Sequence, residues 1–170
     1  SSNYLHSLHN GDHIYVRGPY HQIRYRPNMK AKIGMIAGGT GITPMFQIIR
    51  EVYSNPKDRT EIYLIYANLH NDEIILKEEL DNISEKRENI NIYHLVDQAD
   101  DSWNSGTGYI TLGMLKHFLP SPKEDLKILV CGPKALTDLV CGPKNTDGSQ
   151  GKLTGLLKKA GFHEKQVYKF

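Results

Sequence analysis

The sequence is poor in cysteine and has no long hydrophobic run, and both features restrict its class. Its 170 residues include two cysteines, Cys131 and Cys141, too few for a disulfide framework or a cysteine-based metal cluster. No apolar stretch approaches the length of a transmembrane helix, and the first residues lack a signal-peptide pattern. The eight histidines have no metal-ligand spacing, so we expect no metal site.

Neither sign of charge dominates. The formal net charge is +2, too small to indicate nucleic-acid binding by itself. With 39% hydrophobic and 24% charged residues, the composition is typical of a globular domain, and the length suits one domain, or one domain with a remnant of another. Because the sequence begins with Ser1 rather than methionine, we expect a fragment or a processed form, with any targeting segment or membrane anchor upstream.

The most informative stretch is a buried run, Lys32–Ala37, that ends in a glycine turn and a helix start. Three glycines occupy four positions: Gly38, Gly39 and Gly41. Without Cβ atoms they permit positive φ and a close approach of a ligand to the backbone. We expect Thr43 to be the N-cap and Pro44 the first residue of the following helix, whose N-terminus favours an anion such as a nucleotide pyrophosphate. The alternative is a tight connection without a ligand, because glycine turns are weak motifs alone.

Strand and helix patterns alternate after this turn. Five strands are predicted, over Lys32–Ala37, Glu61–Ala67, Ile90–Val96, Leu126–Val130 and Gln166–Phe170. Their alternation with helices predicts an α/β fold, a doubly wound five-stranded parallel sheet with right-handed crossovers. Ligands of such sheets bind beyond the carboxyl ends of the strands, which places Gly38–Thr43 and Cys131–Pro133 at the same rim.

The intervening helices have recognisable starts and ends. The first ends at Asn55-Pro56, Asp72 is expected to cap the second, and Thr111 is expected to begin the third. The remaining patterns predict a helix over Lys134–Val140, a loop over Cys141–Gln150 and a helix over Lys152–Ala160. The first thirty residues differ: His13–Arg17 is predicted to be a strand, and this part reads as the tail of a separate β domain.

Several motifs in this order identify a family resemblance. Gly38–Pro44 after one strand and Cys131–Pro133 after a later strand resemble the ferredoxin reductase-like superfamily. Within it, the chain looks like the NADH-binding half of the NADH-cytochrome b5 reductase family, most like its fungal mitochondrial members. The supporting segments are Tyr66–Asn68, Glu73–Leu76, Trp103 with Gly106 and Gly108, and Gln166–Phe170.

The resemblance implies two domains and two cofactors. Residues 1–30 would be the C-terminal remnant of an FAD-binding β-barrel, and residues 31–170 the NAD(H)-binding domain. Ser2 would lie in the family motif that touches the FAD phosphates. The family's arginine-tyrosine-serine/threonine flavin motif is absent from the sequence, so we expect the chain to hold FAD weakly.

The same resemblance assigns roles to the rim. Thr40 and Cys131 would orient the nicotinamide, Cys131 as a packing group rather than a nucleophile. The cofactor-binding residues would be Ser2, Gly38, Gly39, Thr40, Gly41, Thr43, Pro44, Glu73, Gly132, Pro133, Leu136 and Phe170. Thr40 could instead be a turn threonine that is hydrogen-bonded to its own backbone, and Cys131 could instead be a small buried hydrophobic residue. The family usually has further prolines and a methionine where this chain has Lys134–Leu136.

Charged residues suggest a preference and a partner. Glu73 is placed to accept a hydrogen bond from the adenosine ribose and to repel the extra phosphate of NADPH, with Asp72 as the competing candidate. Glu73 could instead be a helix-terminal acid. A basic cluster could steer an acidic protein, hold flavin phosphates or simply face solvent: Arg17, Arg24, Arg26, Lys30 and Lys32.

The function implied is that of a flavin-dependent NADH reductase. It would pass a hydride from NADH to FAD and then single electrons to a heme protein such as cytochrome b5. The alternatives are a mitochondrial oxidoreductase acting on the heme of cytochrome c, and a flavinless NADH-binding module. The resemblance implies a mitochondrial location, in the outer membrane or intermembrane space. The cytosolic face of the endoplasmic reticulum is the alternative, with membrane attachment only through a segment outside this chain.

Overall fold

The fold is built on one parallel sheet. The computed structural model describes residues 2–18 and 22–170, and for Ser2 only the backbone. Within them the sheet has six strands in the order β4-β3-β2-β1-β5-β6. The strands are β1 Lys32–Gly38, β2 Glu61–His70, β3 Ile90–Gln98, β4 Gly106–Thr107, β5 Leu126–Cys131 and β6 Val167–Lys169. The predicted parallel α/β architecture is therefore confirmed.

Helices connect these strands on both faces of the sheet. They are α1 Ser2–His6, α2 Ile42–Ser54, α3 Lys77–Lys86, α4 Leu112–Phe118, α5 Lys134–Cys141 and α6 Gly155–Lys159, with short 3₁₀ turns at Gly39–Gly41 and Glu164–Gln166. One core contains Ile48 of α2 and Leu80 of α3. The other contains Leu115, Val140 and Leu157, from α4, α5 and α6. The doubly wound arrangement follows from this division.

The strand order places a switch point between β1 and β5. The chain runs outward from β1 through β2 and β3, then returns to add β5 on the other side of β1. The register sets Ala37 beside Cys131 and Gly38 beside Ala67, so the ends of three strands lie together. The two predicted motifs share this rim, as expected. Successive residues of β1 supply opposite cores: Met35 packs into the first and Ile36 into the second.

The prediction of five strands is wrong by one short edge strand. Gly106–Thr107 pairs with Leu95 and Val96 in the stretch that reads as a polar loop. Two residues, one of them glycine, provide no alternating pattern that a sequence could reveal. Tertiary pairing creates this strand.

The predicted strand His13–Arg17 does not form. In the described residues 2–18 this stretch has no regular structure, and Tyr15 and Val16 are exposed. An extended segment becomes a strand only when a neighbour supplies hydrogen bonds, and here none does. Gly18, directly after this stretch, is exposed, and Pro19 lies outside the described residues.

The starts of α2 and α3 differ from the prediction. Gly41, not Thr43, is the N-cap of α2, so Pro44 is the third helical residue. Pro44 is still in the first turn, where a missing N–H breaks no helical hydrogen bond. The helix expected after Asp72 begins at Lys77, because Leu76 at its N-cap has a φ of +61° and turns the chain there. Asp72 lies in an exposed turn.

Later helix boundaries mostly follow the sequence signals. The Thr111 hydroxyl accepts a hydrogen bond from the Met114 N–H at 3.2 Å, which confirms it as an N-cap. Helix α5 continues to Cys141, which is buried and not in the loop as predicted, because the thiol packs into the second core. Helix α6 begins at Gly155, later than the predicted start at Lys152. The φ of Gly155 is +67°, which lies outside the helical region, so the helix cannot extend back through this residue.

The loop before α6 covers the free edge of β6. The Gln150 side chain accepts a hydrogen bond from the Lys169 N–H at 2.6 Å and donates one to the Lys169 carbonyl at 3.0 Å. The Lys169 ammonium is buried and donates to the carbonyls of Pro143 and Lys152. A side-chain amide therefore occupies the place of a neighbouring strand.

A buried aspartate ties the segment before β1 to the rest of the fold. Asp58 is 1% exposed and accepts hydrogen bonds from the Tyr25 hydroxyl at 2.5 Å and the Thr60 hydroxyl at 2.7 Å. The Asn28 N–H is a third donor, at 3.2 Å. Burial would raise the pKa of Asp58, but these hydrogen bonds outweigh it and hold that pKa below its usual value. Contacts thus cross the predicted domain boundary at residue 30.

No helix of the described ranges, 2–18 and 22–170, is long and apolar enough to cross a membrane.

We predict that Tyr25→Phe lowers the free energy of unfolding by about 1.5–3 kcal/mol, because it removes a hydrogen bond to a buried carboxylate. Above an unfolded pKa of about 3.9 the ionised Asp58 contributes its full stability, which is lost as the pH falls through the lower folded value. In Asp58→Asn the free energy of unfolding should therefore decrease less as the pH is lowered. Urea unfolding between pH 3 and 7 measures both effects. Tyr109→Phe, at an exposed tyrosine, is the control and should change little; equal losses in both tyrosine variants would contradict the prediction.

Candidate nucleotide site

The glycine turn and the turn after β5 are in backbone contact. A Cβ built on Gly41 would lie 2.3 Å from the Cys131 carbonyl oxygen. One built on Gly132 would lie 3.0 Å from the Gly38 nitrogen, and one on Gly38 would lie 2.9 Å from Pro133 Cδ. Gly41 therefore leaves no room for a side chain, and Gly38 and Gly132 leave little. At Gly39 the conformation favours glycine, because its φ is +50° although nothing lies near its absent side chain.

A groove of about 650 Å³ lies over these turns, at the carboxyl ends of the central strands. Its walls are mainly apolar, with a few polar groups, which is the usual character of a small-molecule site. The lining residues are Gly38, Gly39, Thr40, Ala67, Asn68, Leu69, Glu73, Ile75, Asp97, Gly108, Tyr109, Ile110, Pro133, Ala135, Leu136 and Leu139. Gly39 and Thr40 of the 3₁₀ turn belong to this lining, and α2 begins directly after the turn.

The structure brings half of the predicted site residues to this groove. Gly38, Gly39, Thr40, Glu73, Pro133 and Leu136 line it. Gly41 and Gly132 lie directly behind the rim in the backbone contact. Of the two candidate acids, Glu73 faces the groove.

Three predicted residues lie elsewhere. Thr43 is exposed on the first turn of α2, and its hydroxyl donates a hydrogen bond to the Thr40 carbonyl at 3.1 Å. Pro44 and Phe170 line a second groove of about 780 Å³, between α2 and the segment that contains Tyr25. The side chain of Ser2 lies outside the described residues.

Cys131 ends β5 and is half-buried beside the first core. Burial raises the pKa of its thiol, so the group is protonated at neutral pH and is a poor nucleophile. Burial also raises the pKa of Cys141, to about 11, and that thiol packs into the core on the other face of the sheet. Cys131 is accordingly suited to pack against its neighbours and not to act as a nucleophile.

Two polar groups lie at the inner wall of the groove. Tyr66 is fully buried and donates a hydrogen bond from its hydroxyl to the Gly39 carbonyl at 3.1 Å. Burial raises the pKa of Tyr66, and the nearby Asn68 amide and Ile75 N–H partly offset the rise. Asn68 lines the groove, and its Nδ2 atom is buried next to the Tyr66 hydroxyl without a close hydrogen bond within the described residues.

Asp97 and Tyr109 form a polar corner that the sequence reasoning missed. The Tyr109 hydroxyl donates a hydrogen bond to Asp97 Oδ2 at 3.0 Å, and the tyrosine is 72% exposed at the groove mouth. A signal existed: Asp97 follows the predicted strand Ile90–Val96 directly and so falls at the same rim as the glycine turn. With Glu73, Asp97 gives the groove two carboxylates.

The basic cluster is not part of this groove. Lys30 pairs with Asp125 at 2.5 Å, and Lys32 pairs with Glu124 at 2.6 Å. Lys32 is the first residue of β1 and the groove is at its last, which separates them by roughly 20 Å at 3.3 Å per residue. Among the residues that line the groove there is no lysine or arginine, so an anionic ligand there would meet backbone N–H groups and not side-chain cations.

Comparisons with known proteins agree with this geometry. A family model described as an oxidoreductase NAD-binding domain matches residues 35–142. The chain is 45% identical to an NADH-cytochrome b5 reductase-like protein of Arabidopsis thaliana, over 99% of this chain and 52% of that protein. It is 44% identical to NADH-cytochrome b5 reductase 2 of Coccidioides immitis, over 99% of this chain and 53% of that protein. The chain thus spans about half the length of these curated relatives.

A solved structure supports the same relationship. The cytochrome b5 reductase domain of Ulva prolifera nitrate reductase superposes with a TM-score of 0.86 at 31% identity. The match covers 99% of this chain and 64% of that one.

We predict that Gly41→Ala damages the rim. The new methyl group would overlap the Cys131 carbonyl, and such overpacking costs about 1–3 kcal/mol of unfolding free energy. Gly113→Ala in α4 is the matched control, because the nearest atom to its Cβ is 3.8 Å away. Urea unfolding should show a loss in the first variant and no loss in the second. A stable Gly41→Ala protein with unchanged groove residues by NMR would contradict the tight contact.

Proposed function

Because the chain belongs to the oxidoreductase NAD-binding domain family, we propose that its groove binds NADH and serves the NADH-binding half of a flavin-dependent reductase. The relatives and the solved structure confirm the resemblance to the NADH-cytochrome b5 reductase family that the motifs predicted. The observation that carries the proposal is the rim itself. The glycine backbone of the turn that leads into α2 lines one mainly apolar groove there, together with two carboxylates.

In this proposal, different residues of the rim bind different parts of the dinucleotide. The turn Gly39–Gly41 and the first turn of α2 offer N–H groups and the positive end of the helix dipole to the pyrophosphate. Thr40 is exposed at the groove, at the place proposed for the nicotinamide, whereas Cys131 is absent from the groove lining and packs beside the first core. The apolar walls exclude water from the bound ring.

NADH would supply a hydride, and FAD would accept it and release single electrons. The described residues offer no cradle comparable to the glycine rim for a second cofactor, and the family's flavin motif is absent from the sequence. We therefore place FAD on the part of the relatives that this chain does not span. Transfer would then require the groove to open toward that part.

The two acids of the groove favour NADH over NADPH. A carboxylate can accept a hydrogen bond from the ribose 2′-hydroxyl, and it repels a 2′-phosphate in the same place. Glu73 comes shortly after the end of β2 and Asp97 is the next-to-last residue of β3, so they lie at neighbouring strand ends. Either carboxylate could face the ribose, and the comparison of variants below assigns the role.

The relatives' names support a heme protein such as cytochrome b5 as electron acceptor. Cytochrome c, suggested by the resemblance, is the second candidate. Mitochondrial location is proposed from the resemblance alone and is tested by fractionation of cells that express the tagged protein.

Calorimetry should detect binding of NADH and much weaker binding of NADPH, by at least tenfold, since the added phosphate meets carboxylates. Asp97→Asn or Glu73→Gln should reduce this discrimination, and the larger effect identifies the ribose partner. Glu78→Gln is the control, because Glu78 is an exposed acid of α3 outside the groove. Absence of NADH binding by the unaltered chain would refute the proposed function. Equal affinity for both nucleotides would refute the role of the acids.

A separate test concerns the flavin. After incubation with FAD and desalting, we expect the chain to be colourless and to show no NADH-dependent reduction of ferricyanide, while it still binds NADH. That result would support an NADH-binding half. Retained FAD with turnover would show that the chain holds both cofactors and would overturn our placement of FAD.

A further inference from the structure

Tyr66 lies on β2 beneath the glycine turn and is fully buried. A tyrosine in a hydrophobic core needs a partner for its hydroxyl, because an unpaired polar group there costs free energy. Its partner is the carbonyl of Gly39, at 3.1 Å and 27 residues earlier in the chain. The hydroxyl thus connects the core to the rim of the groove.

This hydrogen bond fixes the direction of one peptide group. In a planar trans peptide the C=O and N–H bonds point in opposite directions. Since the Gly39 carbonyl is held toward the Tyr66 hydroxyl, the Thr40 N–H points away from it. Gly39 has a φ of +50° and nothing lies within 4 Å of its absent Cβ, so hydrogen bonds rather than packing hold this peptide. The Gly39 carbonyl accepts from the Tyr66 hydroxyl and also from the Ile42 N–H.

The other flank of the turn is fixed by packing. A Cβ on Gly38 would lie 2.8 Å from Leu136 Cδ1 and 2.9 Å from Pro133 Cδ. The turn is therefore held sterically on the side of β5, and on the side of β2 the Tyr66 hydrogen bond adds to the Ile42 N–H bond within the turn. Loss of the hydroxyl would leave the Gly39 carbonyl with the Ile42 bond alone.

We propose that Tyr66 is a positioning residue: its hydroxyl orients the Gly39–Thr40 peptide so that the N–H groups of the turn face the pyrophosphate of the bound nucleotide. The inference rests on the proposed function. Without the hydroxyl, the Ile42 bond alone would hold the peptide, and its N–H would turn away from the phosphates more often, which weakens binding. The adenosine part of the ligand does not depend on this peptide.

The test compares Tyr66→Phe with Tyr63→Phe. Tyr63 is on the same strand and donates its hydroxyl to Glu61 at 2.6 Å, so each change removes one hydrogen bond. The probes are ADP-ribose, which has the pyrophosphate, and adenosine, which lacks it, titrated by NMR well below the unfolding temperature of each protein. We expect Tyr66→Phe to weaken ADP-ribose binding about 3- to 10-fold, the effect of one hydrogen bond, with adenosine binding within twofold of the unaltered chain. Tyr63→Phe should alter neither.

Two results would overturn the inference. One is unchanged ADP-ribose affinity in Tyr66→Phe. The other is an equal loss of affinity for both probes, which would indicate a general change of the groove and a merely structural role. The Thr40 amide resonance should also move in the Tyr66 variant and not in the Tyr63 variant. If the unaltered chain binds no ADP-ribose, the proposed function fails first, and this inference falls with it.

Discussion

The arrangement of the groove depends on a contact between two backbones. The turn after β1 and the turn after β5 touch at Gly41 and the Cys131 carbonyl, with no room for a side chain between them. The parallel register that sets Ala37 beside Cys131 brings the turns together. From this contact follow the direction of α2, the position of its N-terminus and the depth of the groove. Any residue larger than glycine would separate the turns and open the floor.

Charge is distributed unevenly along the sheet. The amino ends of the strands have ion-paired lysines, such as Lys32 with Glu124, whereas Glu73 and Asp97 lie at the carboxyl ends, around the groove. No lysine or arginine lines the groove within the described residues, so the proposed pyrophosphate would be bound by fixed N–H dipoles and not by side-chain cations. Dipoles of this kind act over short distances, so affinity depends on geometry more than on net charge.

Much of this fold follows from local patterns in the sequence. Buried runs such as Leu126–Val130, the glycines of the turn and the Thr111 cap act through nearby residues, and each can be recognised alone. The missed features depend on distant partners. Gly106–Thr107 is a strand only beside Leu95, and His13–Arg17 is not one because it has no neighbour. Leu76 takes a positive φ that no propensity indicates. Asp97 could have been found from strand ends, whereas the bond from Tyr66 to Gly39 required coordinates.

The Gln150 side chain has a consequence for self-association. β6 is an outer strand of the sheet, and the outward N–H and C=O of Lys169 are both taken by one amide. A second molecule that approached this side would find no free backbone pair with which to extend the sheet. At the opposite side β4 has only two residues, too few to template an added strand. Neither outer strand of the described sheet is therefore suited to pair with an added strand, because the Gln150 side chain occupies β6 and β4 is too short.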